Sequence, residues 1–312
     1  MRMPIAKTVA LLALLPSTLL AQTRLPQREQ TEQIRTPKLS LDQSWRGAKI
    51  GGIGPSESTG TDDAFGAQLI LKERPDRRAF EASLETAAFY TDNVALARED
   101  KRGDSFLNST LALGWRRSFT DRLTASITGR YGLFRYNRFS ALDFQSLDVG
   151  ASLALRLPGQ VDLFTGYGYT QFTSRLDVRE FYSEHAWNLG LQRVFQLSRA
   201  HSIVAGLSTQ WTWATPESAQ RDRYSAFLGY HVRPAEHLTA DLIYRCSYYD
   251  YRDAGEGRGD GNHSLALALR YELAEWLAIT ATAQGTWNRS NQSVFDYDAW
   301  TVGGSVGLNM RF

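Results

Sequence analysis

The chain has 312 residues, with 35 Lys and Arg against 33 Asp and Glu, and this near balance removes the electrostatic support that nucleic-acid binding needs. Its single cysteine, Cys246, excludes an internal disulfide and a thiolate metal cluster, and no stretch beyond the N-terminus reaches the roughly 18 uninterrupted apolar residues of a spanning helix. Mean hydropathy is negative (−0.35) although aromatics make up 12% of the residues, a combination that suits strands with one polar and one lipid-facing side.

The chain opens with Arg2 and Lys7 and no acid, then the apolar run Val9 to Leu15, Pro16, and a small residue at Ala21 before Gln22. This is the pattern of a secretory signal peptide over residues 1–21, cleaved after Ala21. Its two cations account for the formal charge of +2, so the mature chain is near neutral. Residues 22–78 have little periodicity and many Gln, Arg, Gly and Ser, and are read as a periplasmic tail or a plug threaded into a barrel. Phe65 to Leu71 is a candidate short strand there, stopped by the charged run Lys72 to Arg77 around Pro75.

From Phe80 onward, runs of alternating apolar and polar residues are separated by turn signals. They predict twelve strands, at 80–90, 105–118, 122–135, 144–157, 160–173, 183–195, 201–213, 223–233, 237–250, 263–273, 276–288 and 299–312. Connections such as Thr120-Asp121, Pro158-Gly159 and Ala274-Glu275 are tight and alternate with longer ones such as Thr91 to Asp104 and Tyr251 to Asn262. In a transmembrane barrel the short turns belong at the periplasmic rim and the long loops outside, which places both barrel ends in the periplasm. The predicted third strand shows the parity, with Leu123, Ala125, Ile127, Tyr131 and Leu133 on one face and Arg122, Thr124, Ser126, Thr128 and Arg130 on the other. Tyr90, Tyr131, Tyr169, Trp187, Trp211, Trp213, Tyr224, Tyr244, Tyr248, Trp287 and Trp300 share the outward parity toward the long loops, where an aromatic belt meets lipid headgroups.

The signal peptide, the dyad repeat and the ending Gly307-Leu308-Asn309-Met310-Arg311-Phe312 resemble those of Gram-negative outer-membrane β-barrel proteins. The likeness covers about residues 80–312, is architectural, and matches no motif of a single substrate family. It implies an all-β, antiparallel up-and-down transmembrane barrel of about twelve strands over residues 79–312, with an N-terminal periplasmic tail. It further implies an outer-membrane location, contact with lipid and lipopolysaccharide, and Phe312 as the signal read by the outer-membrane assembly machinery.

Inward parity falls on Glu81, Glu85, Asp148, Asp162, Glu184, Asp241 and Glu272, and on Arg116, Arg130, Arg156, Arg245, Arg270 and Arg311. Acids and arginines in nearly equal number neutralise one another, so the lumen is expected to be polar without the single-sign stripe of an acidic-sugar channel. Inward glycines, among them Gly114, Gly150, Gly166, Gly168, Gly190, Gly206, Gly229, Gly303 and Gly307, are expected to leave room in the bore. The resulting expectation is a narrow porin-like channel for small polar solutes, with Glu85, Arg116, Arg130, Asp148, Asp241, Arg245 and Arg270 lining or gating it. The alternative from the same residues is a closed structural barrel that binds a partner through its loops or tail.

A third reading is a lipid hydrolase, because Ser183 and His185 share an outward face near the rim of one strand. The outer-membrane phospholipase A family uses such a lipid-facing pair, but its His-x-Ser order is the reverse of this one. His231 and His237 flank a turn without a third ligand, so no metal site is expected, and no cofactor motif is present. The loop Asp250 to Asn262 is rich in carboxylates and glycine but lacks calcium-loop spacing, and its Arg258-Gly259-Asp260 is too short a motif to carry a function.

Overall fold

A computed structural model describes residues 26–35, 79–252 and 257–312. The proposed signal peptide and the candidate strand 65–71 lie outside the described residues. Residues 26–35 form a helix, α1. Twelve strands follow: β1 (Phe80–Thr91), β2 (Asp104–Ser118), β3 (Leu123–Tyr136), β4 (Phe144–Leu157), β5 (Val161–Ser174), β6 (Glu180–Gln196), β7 (His201–Thr215), β8 (Asp222–Ala235), β9 (Leu238–Tyr251), β10 (Arg258–Ala274), β11 (Leu277–Ser290) and β12 (Tyr297–Arg311). Each pairs antiparallel with its chain neighbours, and β12 returns to β1, so the sheet is a closed barrel without an edge. The seam runs from Glu81 opposite Arg311 to Thr91 opposite Thr301. Beyond it Phe80 and Phe312 exchange backbone N–H···O bonds of 3.0 and 3.1 Å and stack their rings at 6.1 Å.

Most strand ends fall within two residues of the predicted ones. β10 departs most, starting at Arg258 rather than His263, because the glycine-rich run that resembles a loop is paired residue by residue with β9 and β11. Gly259 allows this, since a Cβ there would meet the Tyr248 hydroxyl at 2.5 Å. Arg258 and Asp260, far from forming an exposed motif, are buried and paired with each other.

The outer surface has three bands. Leu84, Leu111, Ile127, Leu153, Leu191, Leu228, Leu267 and Val306 are exposed apolar side chains on the middle of the wall. Tyr90, Trp187, Trp213, Tyr224, Tyr248 and Trp300 are exposed toward the long-loop end, as the belt requires. A second girdle, not anticipated from parity, is formed by Phe80, Phe195, Tyr230, Tyr271, Trp276 and Phe312 at the short-turn end. A water-facing wall of this size would not leave so much contiguous apolar surface uncovered, whereas a lipid-facing one must. Cys246 is half-buried.

The largest apolar core lies inside the barrel, toward the long loops. Phe89, Phe106, Phe134, Tyr136, Phe144, Phe172 and Tyr182 project inward from β1 to β6 and are each at most 6% exposed. Phe134 stacks on Phe144 at 4.2 Å and Phe144 meets Phe172 at 5.1 Å.

Candidate functional site: the barrel lumen

The helix α1 is the first component of the lumen. Its sequence, from Pro26 to Arg35, combines a proline at the first helical position with Gln, Glu and Arg, all good helix formers. Ten residues are too few for a stable helix in water, so its partners must hold it. Those partners come from around the wall. The Gln27 side chain donates to the Leu142 carbonyl (2.7 Å), Gln30 donates to the Val94 carbonyl (2.8 Å), and the Tyr136 hydroxyl donates to Gln30. Ile34 packs against the inner aromatic cluster. Gln27, Arg28, Gln30, Thr31 and Gln33 are buried although all are polar, because their neighbours are lumen side chains and carbonyls rather than solvent.

Charge fixes the helix in register. Arg28 pairs with Glu184, which also accepts from the Tyr182 hydroxyl, and Arg28 donates to the Ala219 carbonyl at 2.9 Å. Arg35 forms a bidentate pair with Asp148, both N···O distances being 2.7 Å. Glu29 accepts from Arg221, and Glu32, which also lies 3.6 Å from Arg28 one turn before it, accepts from Arg221 at 3.1 Å and, through its other oxygen, from Arg223 at 3.2 Å. Burial alone would raise the Glu32 carboxyl, but Arg221, Arg223, Arg28 and Arg245 overcome it and hold it at about 2. The Arg221 guanidinium also stacks 3.9 Å from the Tyr249 ring centroid.

The helix borders a cavity of about 410 Å³ on the long-loop side, lined by Pro26 and Glu29 of α1, Arg221, Tyr249, Tyr251, Arg258 and the segment Ala95 to Glu99. A second cavity of about 420 Å³, reaching toward the short turns, is lined by strand residues that include Arg116, Arg122, Arg130, Arg156, Arg223 and Arg245. Hydroxyls of Thr124, Ser126, Thr128, Ser152 and Ser225 complete its wall. Asp162 is the one acid among its described lining residues, and it is bound by Arg156 at 2.9 Å.

Parity finds the inward side of these charges but not their partners, and three of the expected arginines pair with expected acids: Arg156 with Asp162, Arg270 with Glu272 and Arg311 with Glu81. The acids are taken up singly. Asp148 accepts from Arg35 and from Thr170 (2.9 Å), Glu184 from Arg28, and Asp241 pairs with His231. Among the described residues, Arg116, Arg122, Arg130, Arg156, Arg223 and Arg245 face one space. Among the residues expected to line or gate a path, Arg116, Arg130 and Arg245 meet in that cavity. Asp148 and Asp241 are engaged as described, Glu85 stands opposite Gly307 and Thr110, and Arg270 forms a half-exposed pair with Glu272 at 3.4 Å near the short turns.

The glycines also divide. Gly150 and Gly168 line the arginine cavity and do leave space, whereas a Cβ at Gly166 would meet the Ala151 carbonyl at 3.0 Å. Gly190, Gly206 and Gly303 do not, because the rings of Phe164, Phe227 and Phe89 lie over them where a Cβ would stand. Arg221 and α1 itself escape sequence reading, because Arg221 sits in a connection without periodicity and α1 has no apolar stripe, whereas Arg223 opens a predicted strand on the inward parity.

The outward pair Ser183 and His185 does not come together as a catalytic unit requires. His185 hydrogen-bonds through Nδ1 to the Tyr167 hydroxyl at 2.6 Å and packs on Tyr169 at 4.9 Å. The same diagonal Tyr–His pairing recurs between Tyr244 and His263 (2.7 Å) and between Tyr230 and His201, where Gly261 and Arg199 occupy the positions two residues before the histidine. His237 packs edge-on against Tyr271, 6.5 Å away, while His231 binds Asp241. Among the described residues no three His, Cys, Asp or Glu side chains converge as a metal site needs.

No family model matches the chain, and no curated protein matches it in sequence. Solved structures do match its fold. The COG4313 outer membrane channel from Pseudomonas putida F1 is 13% identical and superimposes with a TM-score of 0.57 over 78% of this chain and all of that one. Weaker likenesses are to the KdgM porin in complex with oligogalacturonate (11% identity, TM-score 0.40, 72% of this chain and 97% of that one) and LpxR from Salmonella typhimurium (9%, 0.43, 72% and 99%). These likenesses concern architecture alone. The closed twelve-strand antiparallel barrel, with its apolar wall, is that of the outer-membrane β-barrel proteins.

Proposed function

We propose that the chain is a narrow porin-like channel of the outer membrane for small polar solutes, with α1 lodged in the lumen as a plug. The observation that carries this reading is a polar cavity of about 420 Å³, walled by arginines and hydroxyls, in a barrel whose lumen also holds α1 by polar contacts. Polar side chains around a space inside a barrel suit a water path for polar solutes. In this reading residues 1–21 direct export, the long loops face outside, and both ends of the barrel face the periplasm. Lipid and lipopolysaccharide contact the outer bands, and Phe312, stacked on Phe80, is read by the assembly machinery before the seam closes.

Single-channel recording of the refolded protein in planar bilayers tests the reading, with and without residues 22–78. Current steps that grow when the segment is deleted are the expected result. Silence from both forms overturns it and favours the closed structural barrel, for which the inward aromatic cluster of Phe134, Phe144 and Phe172 speaks.

A further inference from the structure

We propose that the cavity at the long-loop mouth is a binding site for a small uncharged saccharide, with the free edge of Arg258 and the second carboxylate oxygen of Glu29 as its polar anchors. The site adds a solute class to the channel reading above, on which its role as an entry station rests.

Arg258 is the centre of the site. Its guanidinium is clamped between two rings, 3.5 Å from the Phe295 centroid and 4.0 Å from that of Tyr251. Nε donates to the two oxygens of Asp260 at 2.9 and 3.1 Å, and Nη2 donates to the same carboxylate. Asp260 is held in turn by Asn288 at 3.1 Å. The faces and one edge of the guanidinium are therefore taken, its charge is paired, and Arg258 is only 7% exposed. Nη1 donates to no described residue, and Arg258 lines the cavity of about 410 Å³. A group fixed this firmly presents one pre-oriented donor to a ligand oxygen.

An acceptor lines the same space. Glu29 of α1 gives Oε1 to Arg221, and its Oε2 accepts from no described residue. Charges around the cavity cancel among its described lining residues, where Arg98, Arg221 and Arg258 are matched by Glu29, Glu99 and Asp260. Pro26, Leu96, Val294 and Phe295 add apolar surface to the wall. A balanced wall favours no ion of either sign. A donor and an acceptor set among apolar side chains suit a ring whose edge carries hydroxyls and whose faces carry C–H groups, and the volume is that of a small-ligand pocket. Because α1 supplies Pro26 and Glu29, a sugar bound here rests on the plug.

The test is calorimetric titration of glucose, maltose and sucrose, with citrate, choline and phenol as controls, into the refolded full-length protein and its variants. The wild-type chain is expected to bind at least one of the three sugars and none of the controls. Arg258→Lys keeps a charge for Asp260 but removes the Nη1 donor, and is expected to weaken that binding at least about tenfold. Glu29→Ala, on a helix that is not part of the barrel wall, is expected to weaken it by a similar factor. An unchanged strand signature in circular dichroism reports an intact barrel, and if Arg258→Lys does not fold, Glu29→Ala decides alone. The proposal is overturned by a wild type that binds none of the sugars, by binding of a control in their place, or by equal affinity in the wild type and the folded variants. Bilayer recording of the same samples separates the two readings: current without sugar binding sinks the saccharide site alone, and sugar binding in a protein that never conducts sinks the channel alone.

Discussion

The two halves of the lumen follow opposite rules. Toward the long loops the wall between β1 and β6 is closed by aromatic rings packed face to face and edge to face, with Phe144 fully buried among Phe134, Phe172 and Phe181. Toward the short turns the same strands present serine, threonine, glycine and arginine to an open cavity. A strand can change from one regime to the other within a few residues, as β4 does between Phe144 and Gly150, because only inward side chains decide what fills the bore. Rigidity is thus concentrated where α1 docks, and capacity where a solute would travel.

The comparison can be broken most strongly on the aromatic side. Phe144→Ala is expected to destabilise the barrel by about 3–5 kcal/mol, read by urea unfolding in lipid vesicles, because neighbours locked in stacks cannot refill the space. If the cost matches that of an exposed polar substitution, the cluster does not brace the wall. Arg221→Ala removes the guanidinium that Glu29 and Glu32 share in a buried site and is expected to weaken α1 docking by about 3–5 kcal/mol, seen as faster hydrogen exchange of the α1 amides. Barrel amides should be unaffected, which separates plug release from unfolding.

Smaller effects sharpen the boundary between the halves. Gly206→Ala drives a Cβ into the Phe227 ring, 2.5 Å away, and the Leu191 carbonyl, 2.8 Å away, and is expected to cost about 1–3 kcal/mol. Gly129→Ala, with no atom within 4 Å, is expected to be close to neutral in the same unfolding assay. Acid should loosen the plug through Glu32. Its carboxyl is lowered from 4.5 to about 2 when docked, so its contribution is complete above pH 4.5 and is lost as pH falls toward 2. Conductance or α1 exchange that rises only in that window supports the ion-pair latch, and a rise centred near neutrality contradicts it. Smallest of all, Ser126→Ala removes a 2.7 Å bond to Ser152 on the cavity wall and should cost no more than about 1 kcal/mol.

The barrel itself is readable from residues because every strand repeats one simple rule, apolar outside and small or polar inside, and a slip of one residue would turn Leu123 and Leu153 into the lumen. The same rule says which charges face inward and nothing about how high they stand or which strand lies across the bore. Asp148, for one, is engaged by Arg35, whose segment carries no periodic signal. For α1 the only local cues are Pro26 and a run of helix formers, and its burial is decided by distant partners such as Glu184 and Arg221. The aromatic filling was within reach of parity, since Phe106, Phe134, Phe144 and Phe172 all carry inward positions, but outward aromatics draw the eye in a membrane barrel.

The seam between β1 and β12 sets a demand on assembly. Every other strand pair is a hairpin that neighbours along the chain can form locally, whereas Phe80 and Phe312 must find each other across the length of the domain. Until they do, β1 and β12 remain two unsatisfied edges, each a template for any other extended chain. Loop-closure entropy for that one pairing is the largest in the molecule, and it is offset only when the whole ring exists. The kinetic bottleneck of this fold therefore lies at this seam, and a change at Phe312 is felt first in yield, before it is felt in the stability of the finished barrel.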